Sequence, residues 1–279
     1  MAEEGNPMKT IYAKWSGKAL FAAGAVVLLF SLYKMGAYWL DGYENGKTYS
    51  EIKEVYYEQP ATAPLSVRTE SALTIESAEP RLEPAVMDSR TFNPRFTELV
   101  KRNKDIVGWV KIGDTRIDYP VTQAEDNEYY LGHDVNGNEN AAGSIFMDYR
   151  NEVGGSGRHY ILYGHDMKNK TMFADLLGYE SRWNFENKPT IEFDTIYGDG
   201  TWIIFSAYTT DSSFDYIRTD FSSDAEFRTF LNTVKKKSLH ESGVEVTADD
   251  VVLTLSTCSS AFDDARFVVH AKLAAAGEL

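Results

Sequence analysis

Residues 251–273 read VVLTLSTCSSAFDDARFVVHAKL, two strand-like runs (251–258 and 266–273) around a short polar connection. Side chains along a strand alternate between faces. Val251, Leu253, Leu255 and Thr257 therefore point one way, and Val252, Thr254, Ser256 and Cys258 the other. In the second run Phe267, Val269, Ala271 and Leu273 make an apolar face, which leaves Arg266, Val268, His270 and Lys272 opposite. If the two runs are neighbours, Cys258 and Arg266 share one rim on the less apolar face. Cys258 is the only cysteine of the chain. A lone cysteine reads as a small buried hydrophobe, as half of an intermolecular disulfide, as a metal ligand, or as a nucleophile with a base or cation within reach. The rim arginine reads as a salt-bridge residue with Asp263 or Asp264, or as a group that faces a ligand.

Outward from this pair, the same alternation marks strands at 106–112, 113–121, 143–147, 159–164, 190–194 and 201–208. One long helix is predicted at 222–238, where Phe227, Phe230, Leu231 and Val234 share a face, and a shorter helical face carries Phe96, Leu99 and Val100. Many short strands, irregular connections and few helices favour a closed or nearly closed β-barrel over a doubly wound sheet. No glycine-rich phosphate loop and no GxSxG elbow occurs. Five histidines stand at 133, 159, 165, 240 and 270. His165 follows the strand HYILYG through a glycine, a strand-end position where functional loops begin. His159 and His270 lie within strands and read as structural, while His133 and His240 read as loop or helix-flank residues. No HExxH and no His/Cys cluster is present, so no metal site is expected. A formal net charge of −14 argues against a duplex nucleic-acid partner, because no cationic excess meets the phosphates.

The N-terminal part has a different texture. ALFAAGAVVLLFSLY (19–33) and KMGAYWL (34–40) form an apolar run interrupted only by Lys34, long enough to cross a hydrocarbon core of roughly 30 Å. Lys9, Lys14 and Lys18 precede it and Asp41 and Glu44 follow, which predicts a cytoplasmic N-terminus at 1–18, an anchor at 19–40 and the remainder outside the cell. The bulky residues after Leu32 do not suit signal-peptide cleavage. Residues 41–91 are expected to be an extracellular stalk; within it, Pro60, Pro64, Pro80 and Pro84 among Ser, Thr, Ala and Glu read as a spacer. The folded domain is expected at 92–279.

Four segments in order carry a family resemblance: NKDIVGWVKIGDTRIDYPVTQAEDNEYYLGHD (103–134), AGSIFMDYRN (142–151), YGHDMKNKTMF (163–173), and TLSTC followed by an arginine eight residues on. Together they resemble the sortases, in particular the class B branch. The resemblance implies a membrane-anchored cysteine transpeptidase of Gram-positive bacteria on a closed eight-stranded barrel with peripheral helices, needing no cofactor. It assigns catalytic roles to His165, Cys258 and Arg266, and makes the connection 209–250 one wall of a peptide groove. Tyr208, Ser256 and Thr257 are candidate substrate-binding residues. The implied partners are secreted proteins with a C-terminal sorting motif of the Asn-Pro-x-Thr or Leu-Pro-x-Thr type, and an amine from a peptidoglycan precursor. The competing readings are a pilin-polymerising enzyme that uses a pilin lysine, a plain secreted cysteine protease, and a non-catalytic anchored surface protein.

Overall fold

The computed structural model describes residues 7–58, 91–259, 261–262, 264–275 and 277–278, with side chains from residue 21 onward except at 37, 38 and 41. Among these residues the strands are β1 (Ile106–Lys111), β2 (Asp118–Thr122), β3 (Ile145–Met147), β4 (His159–Tyr163), β5 (Thr190–Thr195), β6 (Thr201–Thr210), β7 (Val252–Cys258) and β8 (Arg266–Leu273). They close into a barrel in the order β1-β2-β3-β4-β7-β8-β6-β5. Pairing is parallel between β2 and β3 and between β4 and β7, and antiparallel elsewhere. Closure leaves no long free edge, as the many short strands predict. The second strand starts five residues later than alternation predicts. Residues 113–117 instead form a tight loop, closed by the Ile112 N–H on the Ile117 carbonyl and by the Thr115 hydroxyl on the Ile112 carbonyl, with Asp114 at positive φ.

The strand alternation separates two packed regions. Leu253, Leu255, Phe267, Val269 and Ala271 join the main core with Trp109, Leu162 and Trp202. Val252 and Val268, on the opposite face, pack with Phe205 and Tyr208 under the long helix α4 (Asp224–Lys237). That helix buries the predicted Phe227, Phe230, Leu231 and Val234. Its start is set by Ser223, whose side chain accepts the Glu226 N–H, while Glu226 reaches back to the Ser222 N–H. Three lysines in its last turn complement the helix dipole. Two short helices complete the elements used below, α2 (Thr97–Arg102) and α3 (Arg182–Asn187); Phe96 and Leu99, beside and within α2, are buried as expected.

The N-terminal helix α1 runs Pro7–Glu58. The compact unit that holds the barrel begins at Lys47, where the sequence suggests a stalk from 41 and a domain only from 92. Tyr49, Ile52 and Tyr56 recur at helical spacing and are buried in the main core. Tyr56 stacks on Trp109 with ring centroids 4.1 Å apart, and its hydroxyl donates to Asp194 at 2.6 Å. The neighbouring Tyr57 hydroxyl donates to Asp118. Residues 59–90, the proline-rich part of the expected spacer, lie outside the described residues. The other unit, Met1–Gly46, contains the apolar run. Most described side chains of that run, including Phe21, Val26, Leu29 and Phe30, are exposed. Among the described residues no helix is long and apolar enough to cross a membrane; the side chains at 19, 20, 37 and 38, within the expected anchor, lie outside them.

Candidate active site

Two adjacent pairings bring the three residues expected to be catalytic to one rim. Strands β4 and β7 run parallel, in register from His159↔Val252 to Tyr163↔Ser256. The Gly164 N–H extends this ladder to the Ser256 carbonyl at 3.2 Å. His165, just beyond β4, therefore arrives beside Cys258, the last residue of β7. Strands β7 and β8 run antiparallel, with Cys258 directly opposite Arg266, so the two side chains leave the sheet on the same face. Gly164 is required where the chain departs from β4. A Cβ there would collide with Cδ1 of Ile145 and lie 2.9 Å from the Phe173 ring. The loop then folds back, with the Phe173 N–H on the His165 carbonyl at 3.0 Å.

The half-buried His165 ring places Nε2 2.8 Å from the Leu131 carbonyl. A carbonyl only accepts, so Nε2 carries the proton and Nδ1 is the nitrogen available to the thiol. His165, as hydrogen-bond partner, draws the Cys258 thiol below its ordinary range; burial opposes this, Arg266 adds to it, and Asp166 works against it. Reciprocally, Cys258 raises the His165 pKa against the opposing effect of burial, helped by the Leu131 carbonyl. Each group thus favours the charged form of the other, and their titrations are coupled. Arg266 is half-buried and donates through one Nη to the Ala265 carbonyl at 3.1 Å. Among the described residues it takes part in no ion pair. Of its two expected partners, Asp264 makes none with it and Asp263 lies outside the described residues. Among the described residues, the Ala265 carbonyl is its one hydrogen-bond acceptor.

The three candidate substrate-binding residues lie deeper than the rim. Ser256 is buried, and its Oγ lies 2.8 Å from the Tyr216 hydroxyl. Tyr208 is buried with its hydroxyl on His270 Nε2 at 2.8 Å. Thr257 faces the main core, and its hydroxyl has no hydrogen-bond partner among the described groups. Tyr208 and Thr257 thus keep their polar groups buried, and of the three only Ser256 is bonded to the connection 209–250. Sequence reasoning missed the partner of Ser256, Tyr216, which lies within electrostatic reach of both Arg266 and Cys258. Its only signal was the aromatic density of SSFDYI in an otherwise polar connection. It also missed the Leu131 carbonyl, a backbone group with no side-chain signature.

Below the rim, Asp148 is fully buried and accepts from Arg150 at 2.8 and 2.7 Å, from Tyr163 at 2.8 Å and from Asn127 at 3.0 Å. Burial alone would raise its pKa, but the guanidinium and backbone N–H of Arg150, with the Tyr163 hydroxyl, hold it below the ordinary carboxylate value. Among the described residues no group of three or more His, Cys, Asp or Glu is arranged to hold a metal ion.

Comparison with known proteins gives consistent matches. The sortase domain family model matches residues 110–274. The chain is 44% identical over 182 residues to sortase B of Staphylococcus aureus, covering 64% of this chain and 75% of that protein. It is 35% identical over 259 residues to sortase B of Listeria monocytogenes, covering 92% and 96%. Among solved structures, sortase B from Bacillus anthracis in complex with AAEK1 superposes with a TM-score of 0.71 at 37% identity, over 85% of this chain and all of that one. A Staphylococcus aureus sortase B–substrate complex gives 0.70 at 34% identity, with 85% and 100% covered.

Proposed function

The chain belongs to the sortase family, class B, and is a cysteine transpeptidase; from that premise we propose that Cys258 cleaves a C-terminal sorting motif of the Asn-Pro-x-Thr or Leu-Pro-x-Thr type and passes the protein to an amine of a peptidoglycan precursor. The observation that carries the assignment of roles is the juxtaposition of Cys258, His165 and Arg266 at one rim, with thiol and imidazole stabilising each other's charged forms.

In the first step the Cys258 thiolate attacks the carbonyl carbon of the motif threonine, forming a C–S bond and a tetrahedral oxyanion. The Arg266 guanidinium, with backbone N–H groups near the thiol, stabilises that oxyanion. Collapse breaks the C–N bond, and the departing amine takes its proton from the His165 imidazolium. In the second step the acceptor amine attacks the thioester and gives a proton to the now neutral His165. The C–S bond breaks, the thiolate re-forms and a new amide is made. A groove that excludes water lets the amine compete with hydrolysis.

The cellular setting is part of the same reading. Residues 19–40 are a retained single-pass anchor with 1–18 in the cytoplasm and the barrel outside, supported by the apolar run, interrupted only by Lys34, and the lysines that precede it. Retention in the membrane pellet after alkaline carbonate extraction checks the anchor; release into the supernatant overturns it. The enzymatic reading is tested by incubating the full-length protein in detergent with candidate sorting peptides, with and without an added amine, and weighing the products. Cleavage after threonine and diversion of the product to the amine adduct are expected. Hydrolysis that no amine diverts identifies a plain protease instead.

A further inference from the structure

The segment between β6 and α4 has no regular structure of its own from Asp211 to Ser223, so its backbone groups need partners from elsewhere. Three consecutive residues in it are held from three different places: β7, the connection between β3 and β4, and β4. The Tyr216 hydroxyl meets Ser256 on β7. The Ile217 carbonyl accepts from Arg150 at 2.9 Å, and Arg150 is itself fixed by its two bonds to Asp148. The Arg218 carbonyl accepts from His159 Nδ1 at 2.6 Å.

The last of these contacts is the end of a buried chain whose direction is fixed by chemistry. The Arg218 carbonyl only accepts, so His159 Nδ1 must donate and, in the neutral ring, Nε2 must accept. Nε2 takes the Thr254 hydroxyl proton at 2.6 Å. The Thr254 oxygen accepts from His270 Nδ1 at 2.7 Å, and His270 Nε2 accepts from the Tyr208 hydroxyl at 2.8 Å. All four side chains are buried. Every donor and acceptor along the chain is used in a single sense, which leaves one arrangement of minimum energy. The chain crosses β7 four residues before Cys258 and ends on the segment that carries Tyr216.

Anchoring alone does not account for these contacts. Apolar packing with α4 already ties the connection to the barrel, through Tyr216, Phe214, Ile217 and Phe221 of this segment, but it leaves the Ile217 and Arg218 carbonyls to be satisfied. Of the three extra bonds, Tyr216–Ser256 lies nearest the thiol, two residues before Cys258 on β7, and the other two fix the backbone of the two residues that follow Tyr216. We propose that Arg150 and His159 are positioning residues that fix residues 216–218 as a preset wall beside Cys258, so that the peptide substrate meets an ordered groove. Ordering a loop on binding lowers affinity, and fixing it beforehand removes that cost. The inference rests on the sortase reading of the site for its effect on substrate, but the clamp itself can be measured without turnover.

The decisive comparison is between two substitutions at His159 in the full-length protein. An Asn side chain places its amide nitrogen near Nδ1 and keeps the donor to the Arg218 carbonyl, whereas Gln reaches toward Nε2 and loses it. His159→Gln should raise KM for the sorting peptide about tenfold with kcat less affected, and should speed amide hydrogen exchange across 212–221 while β4 and β7 stay protected. Alkylation of Cys258 by iodoacetamide, which needs no groove, should stay at the parental rate. His159→Asn should restore both KM and exchange. Parental exchange across 212–221 in His159→Gln overturns the clamp, whether or not the parent turns over the peptide. Equal impairment of the Asn and Gln variants also overturns it, because a merely structural histidine would not distinguish them. Failure of the parent to process any peptide counts against the enzymatic reading, and the exchange data still decide the clamp.

Discussion

At Cys258 two neighbours act in the same direction by different means, and substitutions can separate them. His165 lowers the thiol pKa as its hydrogen-bond partner and Arg266 lowers it through space. The alkylation rate of Cys258 against pH should therefore show a midpoint below that of a free thiol, about 8.5. His165→Ala should move the midpoint upward; an unchanged midpoint would mean that the imidazole does not poise the thiol. Arg266→Lys keeps the charge but loses the planar donor fork. It should leave that midpoint near the parental value while lowering turnover on the order of 100-fold, the scale of removing an oxyanion donor. Parental turnover in Arg266→Lys would reduce Arg266 to a source of positive charge. These three residues were legible in the sequence for separable reasons. Cys258 and Arg266 share a face because strand alternation is a local rule, and His165 stands at a strand end marked by glycine. Tyr216 was not legible, because its place depends on the path of an irregular segment held by carbonyl contacts.

Strands and helices differ in how much of their placement is local. All the predicted strands form, and α4 buries the four side chains that periodicity assigns to its inner face. The last turns of α1 carry no core signature in the sequence, because Tyr49, Ile52 and Tyr56 sit among lysines and glutamates, and only docking on Trp109 and Asp194 makes them core. Two element-level outcomes follow from the packing. Phe227→Ala should destabilise the protein by about 3–5 kcal/mol, the usual range for a buried phenylalanine, measured by urea unfolding. Gly164→Ala forces a Cβ against Ile145 and Phe173 where the chain turns toward His165. Overpacking of this kind costs about 1–3 kcal/mol, but turnover should fall more steeply than stability because the displaced residue carries the imidazole. A variant with full activity would show that the β4 end can shift without moving His165.

Across the whole molecule, buried titratable groups set a pH dependence of folding. Burial lowers the pKa of His159 to about 4 and drives that of His270 well below its ordinary value. An unfolded chain takes up these protons near pH 6.5 and the folded chain does not, so the stability they contribute is complete above that pH and is lost as pH falls toward 4. Asp194 acts in the opposite sense. Burial raises its pKa to about 6, so its contribution is largest in acid and declines as pH rises toward that value. Two histidines outweigh one carboxylate, and the urea midpoint should be lower at pH 5 than at pH 7. Asp194→Asn should steepen that difference, and equal midpoints at the two pH values would show that the histidines are not held neutral. The parallel pairing of β4 with β7 has a consequence in time as well as in space. Its partners are about ninety residues apart in the chain, so it forms only when much of the barrel has been assembled. Until then Cys258 has no imidazole beside it, although the local β7–β8 pairing already sets Arg266 opposite it. Folding itself acts as the safety catch: the nucleophile is armed by the same strand pairing that completes the barrel around it.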